Sequence, residues 1–267
     1  MRTIPSSELI INDDGTIFHL HLRPEQLADT VILVGDPGRV ELVASFFDKR
    51  ECEASNREFN TVTGVYKGKR MTVLSTGIGI GNIDISVTEL DALANIAGVL
   101  DVAMRPIDDF LTSDLDTTLT VNVKGTMYVT RAAVKQFIAQ GYGTIATVAS
   151  VGGVNGNGSA AYTVSKGAEV ALTKHIALRF ANGEQKIRAN CVCPGTVMTP
   201  MTTRAMKARG KYTKAAKAMQ ASTAKHSTLD VGTCSDLDIA KILLFLCSDD
   251  SAPLNGQALV ADYGANL

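Results

Sequence analysis

GTIATVAS (Gly143–Ser150), GGVNGNGS (Gly152–Ser159) and AAYTVSKGAEVALTKHIALRFA (Ala160–Ala181) follow one another almost without a break, and their reading decides the fold. The first is a short, apolar, β-branched run closing on a small hydroxyl residue, as a buried strand does. The second is glycine-rich and reads as a loop. The third repeats apolar residues at helical spacing over several turns. Downstream, IRANCVCPG (Ile187–Gly195) is a strand ending in a turn, IAKILLFLCS (Ile239–Ser248) a late helix and ALVAD (Ala258–Asp262) a closing strand. Upstream, Asp114–Gln140 is a long amphipathic helix and ISVTELDALANI (Ile85–Ile96) another. Further upstream, TVILVG (Thr30–Gly35) is a strand, VELVASFF (Val40–Phe47) starts a helix, and Glu58–Gly77 is a hairpin turning at Lys67-Gly68-Lys69. Strands alternating with helices predict an α/β fold with a doubly wound, mostly parallel sheet flanked by helices, in a single domain.

Bulk properties fit that reading. A chain of 267 residues suits one large α/β domain or two small ones. Hydrophobic residues make up 45% and charged residues 20%, ordinary proportions for a soluble globular chain. A formal net charge of -1 argues against general affinity for nucleic acid or anionic membrane. The apolar run ILLFLC (Ile242–Cys247) is far short of the roughly 20 residues of a membrane span. The N-terminal MRTIPSSELIINDDG carries acids where a signal peptide has its apolar stretch, so a cytoplasmic protein is expected. Five scattered cysteines, an odd number, argue against a disulfide framework. Cys191-Val192-Cys193 is expected to point its thiols apart and to pack as small apolar groups; no metal site is expected.

Tyr162-Thr-Val-Ser-Lys166 places a phenol and an ammonium four residues apart, on one helix face. A free tyrosine titrates near a pKa of about 10, and a neighbouring cation favours its phenolate, which makes the pair a candidate general acid/base. Ser150, at the predicted strand end, can offer a hydroxyl to a reacting carbonyl oxygen. Asn122 is unusual in a helix interior, where its amide competes for backbone groups, and its plain alternative is an exposed polar position. Pro194-Gly195 and Thr196-Val-Met-Thr199 follow a strand with a turn able to grip a planar amide. From Thr196 to Leu229 the chain carries Arg204, Lys207, Arg209, Lys211, Lys214, Lys217 and Lys225, either a lid over a ligand or a solvated helix face.

Asn95-Ile-Ala-Gly98, Asn122, Ser150, Tyr162/Lys166, Pro194-Gly195 and Gly256-Gln-Ala-Leu-Val-Ala-Asp262 together resemble the short-chain dehydrogenase/reductase family, in order and near its spacing. The resemblance covers about Leu90 to Leu267 and implies a Rossmann-like fold, NAD or NADP as cofactor, a small alcohol or ketone as substrate, and homo-oligomers built through the two long helices. It implies that Tyr162 exchanges the proton, that Lys166 lowers its pKa and holds the nicotinamide ribose, that Ser150 orients the carbonyl, and that Asn122 supports a water chain to Lys166. Asn95, Ala97, Gly98, Pro194, Gly195, Val197 and Thr199 would border the cofactor. The chain departs from the family in Ile96, where a second asparagine is usual, and in a Ser150–Tyr162 gap one residue short.

Residues 1–94 lack the family's Thr-Gly-x-x-x-Gly-x-Gly cofactor loop. The nearest match, Thr76–Ile83, has Ile83 for the last glycine and comes late. Instead Ile17-Phe-His-Leu20, Val34-Gly-Asp-Pro-Gly-Arg39, Ser55-Asn-Arg-Glu-Phe59 and Ser75-Thr-Gly-Ile-Gly79 resemble the uridine-type nucleoside phosphorylases. That likeness implies phosphate binding by Gly35, Arg39 and Arg57, with His19 reaching a neighbouring subunit. A glycine turn followed by arginine makes an anion cradle on general grounds as well. The two likenesses meet at Leu90–Gly98, which resembles the end of a helix in the phosphorylases and a strand in the dehydrogenases; this points to a chimera of 1–94 and 95–267, expected to merge into one α/β domain with Val31–Val34 as first strand. Three readings stand: an NAD(P)-dependent oxidoreductase interconverting a secondary alcohol and a ketone, a phosphorylase-like phosphate binder, and an inactive hybrid.

Overall fold

The computed structural model describes residues 12, 14–16, 20–34, 36–57, 59–75, 91–226 and 231–266. The expectations for His19, Gly35, the Thr76–Ile83 loop and most of the Ile85–Ile96 helix lie outside them. The chain divides into two compact units, Met1–Asp91 and Ala92–Leu267.

The first unit holds β1 (Val31–Val34), α1 (Gly38–Ala44), β2 (Lys49–Asn56), β3 (Phe59–Tyr66) and β4 (Lys69–Ser75). They form a mixed sheet in the order β1-β4-β3-β2, with β1 parallel to β4 and the other pairs antiparallel. Both faces are covered. Ile32 and Val34 of β1 pack with Val40, Ala44, Val62 and Val73, while Val31 and Leu33 pack with Leu20, Leu22, Phe59 and Leu74. The hairpin turns at Lys67 and Gly68, whose φ values of 48° and 79° match the right-handed twist of its strands.

The second unit holds β5 (Ala92–Asn95), α2 (Thr112–Thr118), a π-helical segment (Leu119–Gly125), α3 (Thr126–Gln140), β6 (Tyr142–Val148), α4 (Gly152–Asn155), α5 (Ala160–Phe180), β7 (Lys186–Pro194), α6 (Pro200–Ala208), α7 (Lys214–Thr223), α8 (Asp236–Cys247) and β8 (Ala258–Ala261). Its four strands are all parallel, in the order β5-β6-β7-β8. Alternate strand residues point to opposite faces. Ala146 and Val192 meet Ile239, Leu243 and Leu246 of α8, while Cys191 and Cys193 meet Val170 of α5. Helices therefore cover both faces, the doubly wound Rossmann-like arrangement expected from the sequence. Phe137 of α3 is fully buried over Gly143, where a Cβ would stand 2.1 Å from its ring. No helix among the described residues is long and apolar enough to cross a membrane.

Several expectations change. Val31–Val34 does not join the sheet of Thr144–Ala149: its unit completes a sheet of its own, so the single merged domain is replaced by two units. Ala92–Asn95 is a strand, as the dehydrogenase resemblance implies, and not the end of a helix as its apolar spacing and the phosphorylase resemblance imply, because it pairs in register with Thr144–Thr147. Part of the glycine-rich loop winds into α4. Asp114–Gln140 is not one α-helix, since a π-helical segment interrupts it around Asn122. Finally, Cys191 and Cys193 do not point apart. Residues two apart on a strand share a face, and the two thiols are hydrogen-bonded and buried together. That bond and burial push the Cys193 thiol far up, so it stays protonated and packs as a small apolar group.

Candidate active site

The site is built at the C-terminal ends of β5, β6 and β7 in the second unit. Where β6 ends, its Val148 carbonyl accepts a hydrogen bond of 2.8 Å from the Lys166 ammonium. Ser150 follows two residues later, buried, with its Oγ accepting the Gly152 N–H at 3.1 Å. The turn continues into α4, where Gly153 lies against the backbone of Lys166 so closely that a Cβ would stand 2.5 Å from the Lys166 carbonyl carbon. Strand end, loop and helix are thus locked together by a side-chain bond and a glycine contact.

Ser159 caps α5, its hydroxyl accepting the Tyr162 N–H, and it is itself hydrogen-bonded to Asp101. Burial holds the Asp101 carboxyl above its ordinary value. Tyr162 is half-buried in the first turn of α5. The Lys166 Nζ stands 5.9 Å from the centroid of the Tyr162 ring. Lys166 is only 4% exposed, a rare environment for an ammonium without partners. Its partners are the Val148 carbonyl and both oxygens of Glu169, at 3.1 and 2.9 Å. Burial pushes the Glu169 carboxyl up to about 7, against the lowering influence of Lys166.

Asn122 is fully buried, which excludes the exposed alternative. Its Oδ1 accepts the Val99 N–H at 2.8 Å, and its Nδ2 donates to the Val99 carbonyl and to Ser165 Oγ, each at 2.9 Å. It clamps the loop after β5 onto α5. The π-helical segment sets it there; such single-turn departures from α geometry cluster at functional sites. Gly98 lies under the clamp, where a Cβ would stand 3.3 Å from Lys166 Nζ and 3.5 Å from Asn122 Oδ1. Asn95 bonds Thr130 and Thr147 through its Nδ2, fastening β5 to α3 and β6, and Ala97 is exposed.

Pro194 is buried at the end of β7, and the Gly195 N–H donates to Ala261 O, with Asp262 too close for any side chain at 195. Val197 bridges Cys234, and its carbonyl accepts the Thr202 hydroxyl. Thr199 caps α6 by accepting the Thr202 N–H at 3.3 Å. The basic segment forms α6 and α7, and all seven of its arginines and lysines are exposed. No ion pair holds them among the described residues. Glu169, the Val148 carbonyl and Ser165 did not emerge from the sequence reading. Glu169 sits three residues after Lys166 on the same helix face, and that spacing is the signal that could have found it.

In the first unit, Arg39 on α1 and Arg57 in the β2–β3 turn are both exposed, Arg57 with φ +56°. The groove of about 300 Å³ between α1 and the sheet is lined instead by Glu41, Glu53, Ser55 and Asn60, among others. Among the described residues no His, Cys, Asp and Glu cluster could hold a metal.

Residues 80–266 match the family model described as enoyl-(acyl carrier protein) reductase, a stretch that contains Asn95, Asn122, Ser150, Tyr162 and Lys166. The chain belongs to the short-chain dehydrogenase/reductase family. Its relatives include Dehydrogenase/reductase SDR family member 6 of Xenopus laevis, 32% identical over 76% of this chain and 80% of that protein. Another is the 2-(R)-hydroxypropyl-CoM dehydrogenase of Xanthobacter autotrophicus, 35% identical over 68% of this chain and 66% of that one. Among solved structures, an NAD+-bound xylitol dehydrogenase aligns with a TM-score of 0.58 and 31% identity, over 69% of this chain and 74% of that one. Levodione reductase aligns at 0.59 and 26%, over 72% and 76%. As a short-chain dehydrogenase/reductase the chain is a nicotinamide-dependent oxidoreductase. Residues 29–103 match a second model, the phosphorylase superfamily, and the two matches overlap at 80–103, where the sequence resemblances also change over.

Proposed function

We propose that this chain interconverts a small secondary alcohol and a ketone by hydride transfer with NAD or NADP, Tyr162 acting as general acid and base. The observation that carries the reading is the buried Lys166 ammonium, bonded to the β6 strand end beside Ser150 and standing near the Tyr162 ring. The residues fit the nicotinamide riboside end of such a cofactor. Gly98 keeps a side chain out of the space before Lys166 and Asn122, leaving backbone that a flat group can approach. When bound, the nicotinamide supplies or accepts the hydride. Tyr162, Lys166, Asn95, Ala97, Gly98, Pro194, Gly195, Val197 and Thr199 would hold it.

In the direction of reduction, the Ser150 hydroxyl donates a hydrogen bond to the carbonyl oxygen and orients it. Tyr162 donates its phenolic proton to that oxygen as charge develops there. The Lys166 ammonium stabilises the phenolate left behind. Asn122 acts at one remove, fixing the Val99 loop and Ser165 against the helix turn that carries both. Oxidation runs the same transfers backwards.

The substrate is a small molecule. The groove of about 310 Å³ along α3 and α5, lined by Val123, Met127, Ala171 and Leu172, supports a homo-oligomer formed through these helices. Cytoplasmic location is part of the same reading. The test is reduction of a panel of small ketones by NADH and NADPH, followed as loss of reduced-nicotinamide absorbance. Turnover with at least one ketone is expected; absence of turnover and of cofactor binding together would overturn the assignment.

A further inference from the structure

An ammonium has three N–H donors. In this structure three acceptor atoms surround Lys166 Nζ: Val148 O at 2.8 Å and the two oxygens of the single Glu169 carboxylate, Oε2 at 2.9 Å and Oε1 at 3.1 Å. The carboxylate therefore holds the ammonium from the Glu169 side, in competition with a ribose hydroxyl and the Tyr162 oxygen for the same donors. The carboxylate is as buried as the ammonium, at 2% against 4% exposed, so water competes with neither. Glu169 also offsets much of the positive charge that Lys166 presents to the Tyr162 ring. We infer that Glu169 is a positioning residue that holds Lys166 back, and that Lys166 engages the cofactor ribose and Tyr162 fully only when Glu169 loosens its hold. This rests on the oxidoreductase reading of the site, and deepens it.

Among the described residues, nothing around Glu169 offers it a second cation of comparable closeness. On its own helix, Lys174 acts on the nearby Cys191, and His175 shares the groove with Glu169. From β7 come Cys191 and Cys193, buried thiols whose own titration Glu169 opposes. From the π-helical segment and α3, Asn122, Val123, Thr126 and Met127 line the groove without a titratable group. Burial holds the Glu169 carboxyl up to about 7, so protonation near neutrality is a ready way to loosen its grip. A protonated carboxyl keeps one acceptor oxygen and loses its charge.

The test uses the full chain and two readouts. First, phenolate absorbance is titrated with pH for the wild type and for Tyr162→Phe; the difference gives the Tyr162 pKa without any cofactor. The same pair is measured in Glu169→Gln. The Tyr162 phenolate absorbance is expected to appear at lower pH in Glu169→Gln than in the wild type, because a neighbouring cation no longer offset by a carboxylate favours the phenolate. Second, NADH affinity is read by its fluorescence above and below neutral pH. Glu169→Gln is expected to bind about tenfold more tightly above neutrality, the worth of one regained bond to a charged group, and to lose the pH dependence. A Glu169 that only supports the fold would shift the melting temperature and leave both readouts unmoved, which overturns the inference. Failure of NADH to bind every variant would sink the oxidoreductase reading, while the cofactor-free titration still judges Glu169. If Glu169→Gln does not fold, Glu169→Asp, one methylene short of its present contact with Lys166, must move both readouts in the same direction; no movement overturns the inference.

Discussion

Replacing Asn122 with alanine should destabilise the second unit by about 3 kcal/mol. The side chain is fully buried and makes three hydrogen bonds, all between 2.8 and 2.9 Å. Ser165 keeps a second bond, donating to the Tyr162 carbonyl at 2.8 Å, so it is not orphaned. The Val99 N–H and carbonyl are orphaned, each at roughly 1 kcal/mol or a little more when partly shielded from water. Removing the amide also leaves a void, adding roughly another 1 kcal/mol. For a unit of this size, roughly 3 kcal/mol corresponds to a fall of about 6–12 °C in melting temperature. The assay is thermal unfolding by circular dichroism, with scanning calorimetry to separate the transitions of the two units. A drop smaller than about 2 °C, under 1 kcal/mol on the same scale, would mean that the loop after β5 does not depend on this clamp.

Tyr162→Phe should cut ketone reduction by at least about a hundredfold while leaving the melting temperature in place, since general acid/base groups contribute about 10²–10⁴-fold; steady-state rates of the two proteins check it. Gly143→Ala should destabilise by about 1–3 kcal/mol through overpacking, because its Cβ would meet the buried Phe137 ring, and urea unfolding measures this. Glu169 should make stability fall as pH rises. Its folded-state value, raised from 4.5 to about 7, means the folded chain binds more protons between those values, so the contribution present below about 4.5 is lost by about 7. Urea midpoints of Glu169→Leu should lack that slope, and an unchanged slope would assign it to another group.

The legible parts of this fold were those whose local and tertiary preferences agree. The hairpin at Lys67-Gly68, the β6 strand and the long α5 helix carry their period, turn and cap in the sequence itself. β2 went unread because KRECEASN is an edge strand with charged residues turned outward, which suppresses aggregation and also hides the apolar alternation. Ala92–Asn95 satisfies a helical period by its alanines and leucine, and only pairing with Thr144–Thr147 makes it a strand. The expectation of one merged sheet failed because partner choice is also set beyond the strand: all four residues of β1 pair in register with β4, in a sheet that β3 and β2 complete within the same unit.

The candidate site was legible as a list of residue types and less so as a set of contacts. Tyr162, Lys166, Ser150 and Asn122 stood out by chemistry and order. The sequence could not show that Asn122 spends its amide on Val99 and Ser165, or that Thr199 spends its hydroxyl on a helix cap. Glu169 was hidden because a glutamate at helical spacing from a lysine is ordinarily a solvated surface pair. Here the same spacing is buried, and burial turns it into a constraint on the site.

The central claim is that Lys166, at the end of β6, holds the nicotinamide riboside end of a dinucleotide beside Tyr162. Saturation-transfer NMR of NADH with the full-length chain tests it most directly. Strong transfer to the nicotinamide and adjoining ribose protons is expected, and it should disappear in Lys166→Met. Transfer confined to the adenine end, or nicotinamide transfer that survives loss of the ammonium, would contradict it.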